Sequence, residues 1–127
     1  MNKKISIILS TFNEEIAIKK TINEIRKHIN DVEIIVVDDN STDRTFEILK
    51  SLENDTTKVF LRKKTKGLAS AFLLGLIHSR GDIIGWVDSN MSSVVKLFPQ
   101  MINELQTNDV VILSRFLEGG KDERNFV

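Results

Sequence analysis

The feature that most constrains the fold is an alternation of short, continuously apolar segments with longer amphipathic ones. Apolar runs without a charged residue predict strands that are buried on both faces of a sheet. Such runs occur at residues 5–9, 34–37, 59–61, 83–87 and 110–113. Four segments with apolar residues at helical spacing separate them. The alternation predicts an α/β domain with a doubly wound, mostly parallel sheet and right-handed crossovers.

The helices are predicted from their apolar positions and their flanking cap residues. The first carries Ile16, Ile18, Ile22, Ile25 and Ile29, with Thr11 or Asn13 as its N-cap. The second carries Phe46, Leu49 and Leu52, with Ser41 or Asp43 as its cap. The third starts near Gly67 and is expected to bury Leu68, Ala71, Phe72 and the pair Gly75 and Leu76. Pro99 fits only the first turn of a helix, so the fourth helix is expected to start near Leu97.

Composition excludes several classes of function. The chain has 127 residues, the length of one domain, and its 18 basic and 18 acidic side chains cancel, which disfavours nucleic acid as a partner. The absence of cysteine excludes disulfides and thiolate zinc sites and is compatible with the cytoplasm. No signal-peptide core or apolar stretch of about 20 residues occurs, so we expect any membrane contact to be peripheral.

Polar and acidic side chains collect where the predicted strands end. They are Asn13 and Glu14, Asp38 and Asp39, Asp88, Ser89 and Asn90, and finally Ser114 and Arg115. Ligands of open α/β sheets bind beyond the carboxyl ends of the strands, so these residues are expected to converge on a single site. Mutual repulsion between the acids favours a bound cation or a ligand with hydrogen-bond donors. The alternative is that each acid is a helix cap or turn former.

Six segments, in order, resemble the motifs of family-2 glycosyltransferases. They lie at residues 5–15, 37–45, 67–75, 81–82, 87–92 and 114–120, and the last is closest to the branch that acts on dolichyl or polyprenyl phosphate. The resemblance implies a nucleotide-diphospho-sugar transferase fold of the glycosyltransferase A type, which is Rossmann-like. It further implies that residues 1–127 form the nucleotide-sugar-binding part of a catalytic domain and are truncated relative to the family. We then expect nucleotide binding to be retained more readily than transfer, and exposed apolar surface to favour homo-oligomers.

The resemblance implies that four side chains contact the nucleotide of a nucleotide-diphosphate sugar: Phe12, Glu14, Asp39 and Lys66. Phe12 would pack against the nucleoside, and Asp39 would accept hydrogen bonds from the base, as an ionised carboxylate can. Lys66 would contact phosphate or the pocket wall. The neighbouring Arg62 and Lys63 are expected to lie in a solvated turn.

The resemblance also implies a divalent cation, Mg²⁺ or Mn²⁺, at the segment that matches the family's Asp-x-Asp motif. Asp88 opens this segment, and Asn90 and Ser92 would complete the metal site. Because Asn90 replaces a carboxylate with a neutral amide, metal affinity is expected to fall. This substitution leaves open a weak-metal or inactive variant.

On the acceptor side, the resemblance implies that Arg115 clamps the phosphate of a lipid carrier at the cytoplasmic face of a membrane. Asp88 and Arg115 are then the candidate catalytic residues. The alternative for Arg115 is a simple ion pair with a nearby acid. An acceptor phosphate is already an anionic nucleophile, so no strong base is required. That agrees with a chain whose two histidines fall on predicted helices.

Other functions remain in competition with sugar transfer to a lipid phosphate. They are transfer to a polysaccharide or another glycan, and nucleotide binding without catalysis. A signalling receiver domain has similar length and acidic strand ends, but its acid pair follows the first strand, whereas Asp38 and Asp39 follow the second. Dinucleotide-binding and P-loop glycine patterns are absent after the first strand. The sequence indicates neither the base nor the sugar of the donor.

Overall fold

The structure is a computed structural model that describes residues 3–114. Its strands are β1 (Ile5–Thr11), β2 (Glu33–Asp38), β3 (Thr57–Leu61) and β4 (Ile83–Trp86). Its helices are α1 (Ile18–His28), α2 (Thr45–Leu52), α3 (Leu68–His78) and α4 (Phe98–Glu104), and a 3₁₀ helix at Ser92–Leu97 precedes α4. Pro99 lies in the first turn of α4, and Leu97 is the N-cap, as predicted.

The strands form one parallel sheet in the order β3-β2-β1-β4. Ile8 in the middle of β1 is in register with Ile35 of β2 on one side and Trp86 of β4 on the other. The chain winds outward from β1 to β3 and then crosses back to place β4 on the opposite side of β1. This reversal opens a crevice at the carboxyl ends of β1 and β4, which is where ligands bind in such sheets. The predicted parallel, doubly wound fold is confirmed for these strands.

The main core fills one face of the sheet. Alternate residues of β1 and β2 point to this face, because successive side chains of a strand alternate between faces. The buried cluster joins Ile7 and Leu9 of β1 and Ile34 and Val36 of β2 to Ile18, Ile22 and Ile25 of α1 and Leu49 of α2. Helix α1 is amphipathic with this isoleucine stripe inward, which is the face that its sequence predicts.

Helix α3 covers the opposite face of the sheet and approaches it closely through small residues. Ala71 and Gly75 are its buried positions, and a Cβ atom added at Gly75 would lie 2.5 Å from Cγ2 of Ile8. Leu68 and Leu76 were expected to be buried, but they are 52% and 39% exposed. The prediction was wrong because close approach of the helix axis favours the small residues, which turns the leucines away from the sheet.

We expect Gly75→Ala to lower the free energy of unfolding by about 1–2 kcal/mol. Overpacking a core costs about 1–3 kcal/mol, and the better helix propensity of alanine offsets about 1 kcal/mol of this at most. The Cγ2 methyl group of Ile8 cannot move away easily, because it is attached directly to Cβ and the χ1 angle of a β-branched side chain is restricted. Urea unfolding measures the effect, with Leu73→Ala on the exposed side of the same helix as the control. Equal midpoints for the two variants would contradict the close packing.

The start of α1 differs from its prediction. The helix begins at Ile18 with Ala17 at the N-cap and no side-chain cap, and Ile16 is 95% exposed. Thr11 and Asn13 do not cap this helix, because their side chains are bonded instead to Asp38 at the end of β2 and to Thr42 in the loop after it. The loop after β1 is therefore longer than periodicity alone indicated.

The predicted fifth strand at residues 110–113 is not formed. Val110 and Ile112 are 72% and 79% exposed, so the apolar run buries little surface. An apolar sequence becomes a strand when it pairs and packs against neighbours, and among residues 3–114 this segment pairs with no strand. Within residues 3–114, no helix has both the length and the apolar character that a membrane span requires.

Candidate nucleotide-binding site

The loops of the site are joined by hydrogen bonds to the side chain of Asp38, the last residue of β2. The Asp38 carboxylate is fully buried. Its Oδ1 accepts hydrogen bonds from Thr11 Oγ1 at 2.7 Å and from Ser41 Oγ at 2.6 Å, and its Oδ2 accepts one from the Ser41 amide at 3.0 Å. Asp38 thus joins the end of β1 to the loop after β2. Its role in this structure is to shape the loops around the site.

Asn13 is a second link between the same two loops. Its backbone is left-handed, with φ of 55°, a conformation that asparagine tolerates better than most residues. Its backbone N–H donates to Ser41 Oγ at 2.9 Å, and its side-chain Oδ1 accepts a hydrogen bond from the Thr42 backbone N–H at 2.8 Å. The next amide, that of Glu14, donates to Thr45 Oγ1 at 2.8 Å. The loop after β1 is consequently held at several successive positions.

Asp43 completes this network at the start of α2. The N-cap of α2 is Arg44, and not Ser41 or Asp43 as predicted, but Asp43 Oδ1 accepts the Thr45 amide at 2.9 Å. Desolvation acts to raise the pKa of Asp43, but the hydrogen bonds from Thr45 and Glu15 outweigh it and the pKa is lowered. A lowered folded-state pKa means that Asp43 stabilises the fold at neutral pH, and this contribution is lost as the pH falls through that pKa.

A cavity of about 330 Å³ opens at the carboxyl ends of β1, β2 and β4. Its lining residues are Ser10, Thr11, Phe12, Glu14, Asp39, Leu68, Asp88, Ser89 and Asn90. The structure thus brings together five of the residues that were predicted to bind the nucleotide or the metal, from three separate loops: Phe12, Glu14, Asp39, Asp88 and Asn90. The volume is in the lower range of small-molecule sites. A lining that combines carboxylate and amide oxygens with an aromatic ring suits a ligand with both polar and flat apolar parts.

Lys66 is not among the residues that line the cavity, but it contacts one of them, Phe12. Its Nζ lies 5.2 Å from the centroid of the Phe12 ring, a cation–π distance. The Phe12 side chain is 48% exposed, so its ring remains accessible at the cavity wall. A flat ligand on Phe12 would therefore lie beside a lysine ammonium.

Asp39 is paired with Arg62, which the sequence analysis had placed in a solvated turn. Arg62 Nε donates to Asp39 Oδ1 at 2.6 Å, and Nη2 donates to Oδ2 at 2.8 Å. The two side chains are only 9% and 13% exposed. The prediction for Arg62 was wrong because an acid that follows the neighbouring strand β2, 23 positions earlier, draws it inward. Lys63 is exposed as expected.

The same guanidinium also holds the start of α3. Arg62 Nη1 donates to Ser70 Oγ at 2.7 Å, and Nη2 donates to the Gly67 carbonyl at 2.8 Å. The Gly67 amide in turn donates to Asp39 Oδ2 at 3.1 Å. Gly67 has φ of 125°, which only glycine adopts readily. Sequence reasoning noted the glycine and the acid separately, but it had no signal for the arginine that joins them.

Few of the described residues are suited to bind a cation. Asp88 and Asn90 share the cavity wall, whereas Ser92 begins the 3₁₀ helix and is not among the lining residues. Between residues 3 and 114 there is no group of three or more His, Cys, Asp or Glu side chains suited to a metal ion. One carboxylate and one amide fit an ion that also binds phosphate oxygens, as Mg²⁺ commonly does. Arg115 lies outside the described residues.

Sequence comparison relates this chain to a known family and to individual proteins. Residues 6–126 match the sequence profile of Glycosyl transferase family 2. A dolichol-phosphate mannosyltransferase of Pyrococcus furiosus is 34% identical over an alignment of 124 positions, and the match covers 94% of this chain and 35% of that protein. A prophage bactoprenol glucosyl transferase homolog of Escherichia coli K12 is 30% identical, over 95% of this chain and 42% of that protein. The chain therefore spans well under half the length of these relatives.

A solved structure shares the fold. Glucosyl-3-phosphoglycerate synthase from Mycobacterium tuberculosis, crystallised with Mn²⁺, uridine diphosphate and glucosyl-3-phosphoglycerate, superposes with a TM-score of 0.67 at 26% identity. The match covers 85% of this chain and 41% of that one. This chain therefore shares its fold with an enzyme that was crystallised with a nucleotide and a divalent cation.

Proposed function

The chain belongs to glycosyl transferase family 2, and from that membership we propose that it forms the donor-binding part of an enzyme that loads a sugar onto a polyprenyl phosphate. The donor is a nucleotide-diphosphate sugar of the GDP-mannose or UDP-glucose type. The observation that carries the proposal is the 330 Å³ cavity at the strand ends, where an aromatic ring, three carboxylates and an amide meet. The two relatives named for dolichol phosphate and bactoprenol support the lipid acceptor.

In this proposal the nucleoside lies on the Phe12 ring, between Glu14 and Asp39. Stacking on an exposed aromatic ring is worth about 1–3 kcal/mol per base in nucleic-acid-binding proteins. Lys66 beside the ring adds a positive charge that favours the anionic diphosphate. Glu14 contributes a carboxylate that can accept hydrogen bonds from the sugar hydroxyls of the nucleoside.

The contacts of Asp39 limit what it can do for the base. A carboxylate accepts about four hydrogen bonds. Arg62 and the Gly67 amide already supply three of them, one on Oδ1 and two on Oδ2. The remaining acceptor position on Oδ1 is the one proposed to receive an N–H of the base. The ion pair with Arg62 holds the Asp39 carboxylate in one orientation, so it can accept this bond without rearrangement.

The diphosphate is proposed to lie near Asp88 and Asn90, with a divalent cation, Mg²⁺ or Mn²⁺, shared between them and the phosphate oxygens. Such an ion neutralises the negative charge of the nucleoside diphosphate as it leaves. With a single carboxylate from the described residues, binding of the ion is expected to depend on the nucleotide. Ser92 can contribute through a water from the start of the 3₁₀ helix.

In the transfer itself, an oxygen of the acceptor phosphate attacks the anomeric carbon of the donor sugar. The bond from that carbon to the diphosphate breaks, and the nucleoside diphosphate departs with the electron pair. No strong general base is needed, and neither His28 nor His78 is among the cavity's lining residues. Arg115 remains the predicted clamp for the acceptor phosphate, and a lipid acceptor would require contact with a membrane surface.

Titration of the chain with UDP and with GDP, with and without Mn²⁺, tests the donor site. We expect one nucleotide to bind with Mn²⁺, and Asp88→Ala to weaken that binding at least about tenfold, as loss of a metal ligand or its support commonly does. Isothermal calorimetry measures both affinities. Asp55→Ala is the matched control, because Asp55 is an exposed acid before β3, at the other end of the sheet.

Two results would contradict the proposal. The first is a wild-type chain that is folded but binds neither nucleotide with or without the metal. The second is an Asp88→Ala variant that binds the nucleotide with Mn²⁺ as tightly as the Asp55→Ala control. Transfer of labelled sugar to a short polyprenyl phosphate, and to a glycan in its place, then distinguishes the two classes of acceptor.

A further inference from the structure

Thr21 connects helix α1 to the loop that carries Asp88 and Asn90. Its side chain is fully buried, and its Oγ1 donates a hydrogen bond of 2.6 Å to the backbone carbonyl oxygen of Ser89. The two residues are 68 positions apart, so this bond joins the first helix to the loop after β4. Thr21 is not among the residues that line the cavity.

The hydroxyl proton of Thr21 has two acceptors within reach. The carbonyl oxygen of Ala17, one helical turn earlier, lies at 3.2 Å, compared with 2.6 Å for Ser89. A hydroxyl has one proton to donate, and the shorter contact is the stronger one. Threonine in a helix often bonds back to its own preceding turn, but here the favoured partner is the site loop.

The surroundings of this bond define the loop's position. Ser89 is 4% exposed, whereas Asp88 and Asn90 on either side of it are exposed in the cavity. Val87 and Val95, before and after this segment, are buried in the cluster formed with α1. Apolar packing therefore holds both flanks of the loop, and the Thr21 hydroxyl holds its middle by a directional contact.

We propose that Thr21 is a positioning residue for the cation and diphosphate, because it holds the Ser89 backbone and thereby aims the side chains of Asp88 and Asn90 into the cavity. This inference rests on the proposed function, since it assigns the role within that same donor site. Packing alone would allow the loop to slide along α1, whereas a 2.6 Å hydrogen bond fixes one atom of it. With only one carboxylate at the site, small displacements of its oxygen matter more than in a site with several acids.

The first test compares Thr21→Val with Thr21→Ser. Valine keeps the shape and burial of threonine but removes the donor, whereas serine keeps the donor. Affinity for UDP and GDP is measured by calorimetry with and without Mn²⁺. We expect Thr21→Val to reduce the Mn²⁺-dependent gain in affinity about tenfold, the usual scale for residues that orient metal ligands. Metal-free affinity, which depends on Phe12 and Asp39, should not change, and Thr21→Ser should restore the gain.

A second measurement does not depend on nucleotide binding. In ¹⁵N-labelled chain, Thr21→Val is expected to shift or broaden the backbone amide signals of residues 88–91, whereas the amides of Glu14 and Asp39 stay in place. Thr21→Ser should leave all of them close to their wild-type positions. This readout keeps the inference testable if the wild-type chain binds no nucleotide, which would count against the proposed function and not against the role of Thr21.

Several outcomes would overturn the inference. One is a Thr21→Val variant with an unchanged Mn²⁺-dependent gain or with unchanged amide signals at residues 88–91. Another is a loss that is equal with and without Mn²⁺, since that would indicate a general loss of stability. A third is failure of Thr21→Ser to restore the wild-type behaviour in a folded protein.

Discussion

Replacing Arg62 with methionine is expected to lower the free energy of unfolding by about 3–4 kcal/mol, because it leaves the Asp39 carboxylate buried without its partner. The Asp39 side chain is 13% exposed, so water cannot replace the two lost hydrogen bonds in full. The same change removes the bonds to Ser70 Oγ and the Gly67 carbonyl. Nucleotide affinity should fall as well, since Asp39 loses the contact that orients it.

Urea unfolding of Arg62→Met and Lys63→Met measures this effect. Lys63 is the exposed neighbour, and its replacement should change stability by no more than about 0.5 kcal/mol. The double variant Arg62→Met with Asp39→Asn removes both charges and should recover much of the loss, because the amide oxygen can still accept the Gly67 amide. Equal stability of the two single variants would mean that the ion pair is not formed.

Replacing Asp38 with alanine is expected to cost about 2–4 kcal/mol and to disorganise the cavity wall. The carboxylate accepts three hydrogen bonds, and their donors belong to Thr11 and Ser41. Buried donors left without an acceptor cost about 1–3 kcal/mol each, and Ser41 recovers part of this by reaching water. Because Ser41 Oγ also accepts the Asn13 amide, the loop after β1 should loosen together with the loop after β2.

Thermal unfolding and nucleotide titration of Asp38→Ala, Asp38→Asn and Asp55→Ala measure the two effects. Asparagine keeps an oxygen for the Ser41 amide, and the hydroxyl groups can rotate to accept from its NH₂, so its loss should be intermediate. Asp55→Ala should behave as wild type. If Asp38→Ala were as stable as the Asp55→Ala control and bound nucleotide equally well, the network at the end of β2 would not support the site.

The strand and helix order was predictable because hydrophobic periodicity is a local property. Residues 5–9, 34–37 and 59–61 contain no charge, and each lies within an observed strand. The start of α1 and the run at residues 110–113 were predicted wrongly because both depend on distant partners. Asn13 bonds to Thr42 instead of capping α1, and Val110 and Ile112 remain mostly exposed among the described residues 3–114.

The candidate site was predictable in part. Glu14, Asp39 and Asp88 were identified because chemistry in a parallel sheet collects after the strands, and that rule needs only the strand order. Phe12 was identified only through the family resemblance. Arg62 was missed because a basic residue after a strand is usually solvated, and no local pattern indicates the acid it pairs with. Thr21 was missed because it lies on a buried helix face, where sequence alone indicates packing.

The sequence by itself determined the parallel sheet, the buried face of α1 and the set of polar residues at the strand ends, because these follow from the period and charge of residues along the chain. Only the tertiary structure decided which of those residues point into the cavity and which hold it together. Asp38 and Asp39 are adjacent acids with the same local signal. The fold makes one the fully buried centre of two loops and the other a cavity residue paired with Arg62. The physical reason is that hydrogen bonds and ion pairs between distant segments depend on position in three dimensions, which local periodicity does not encode.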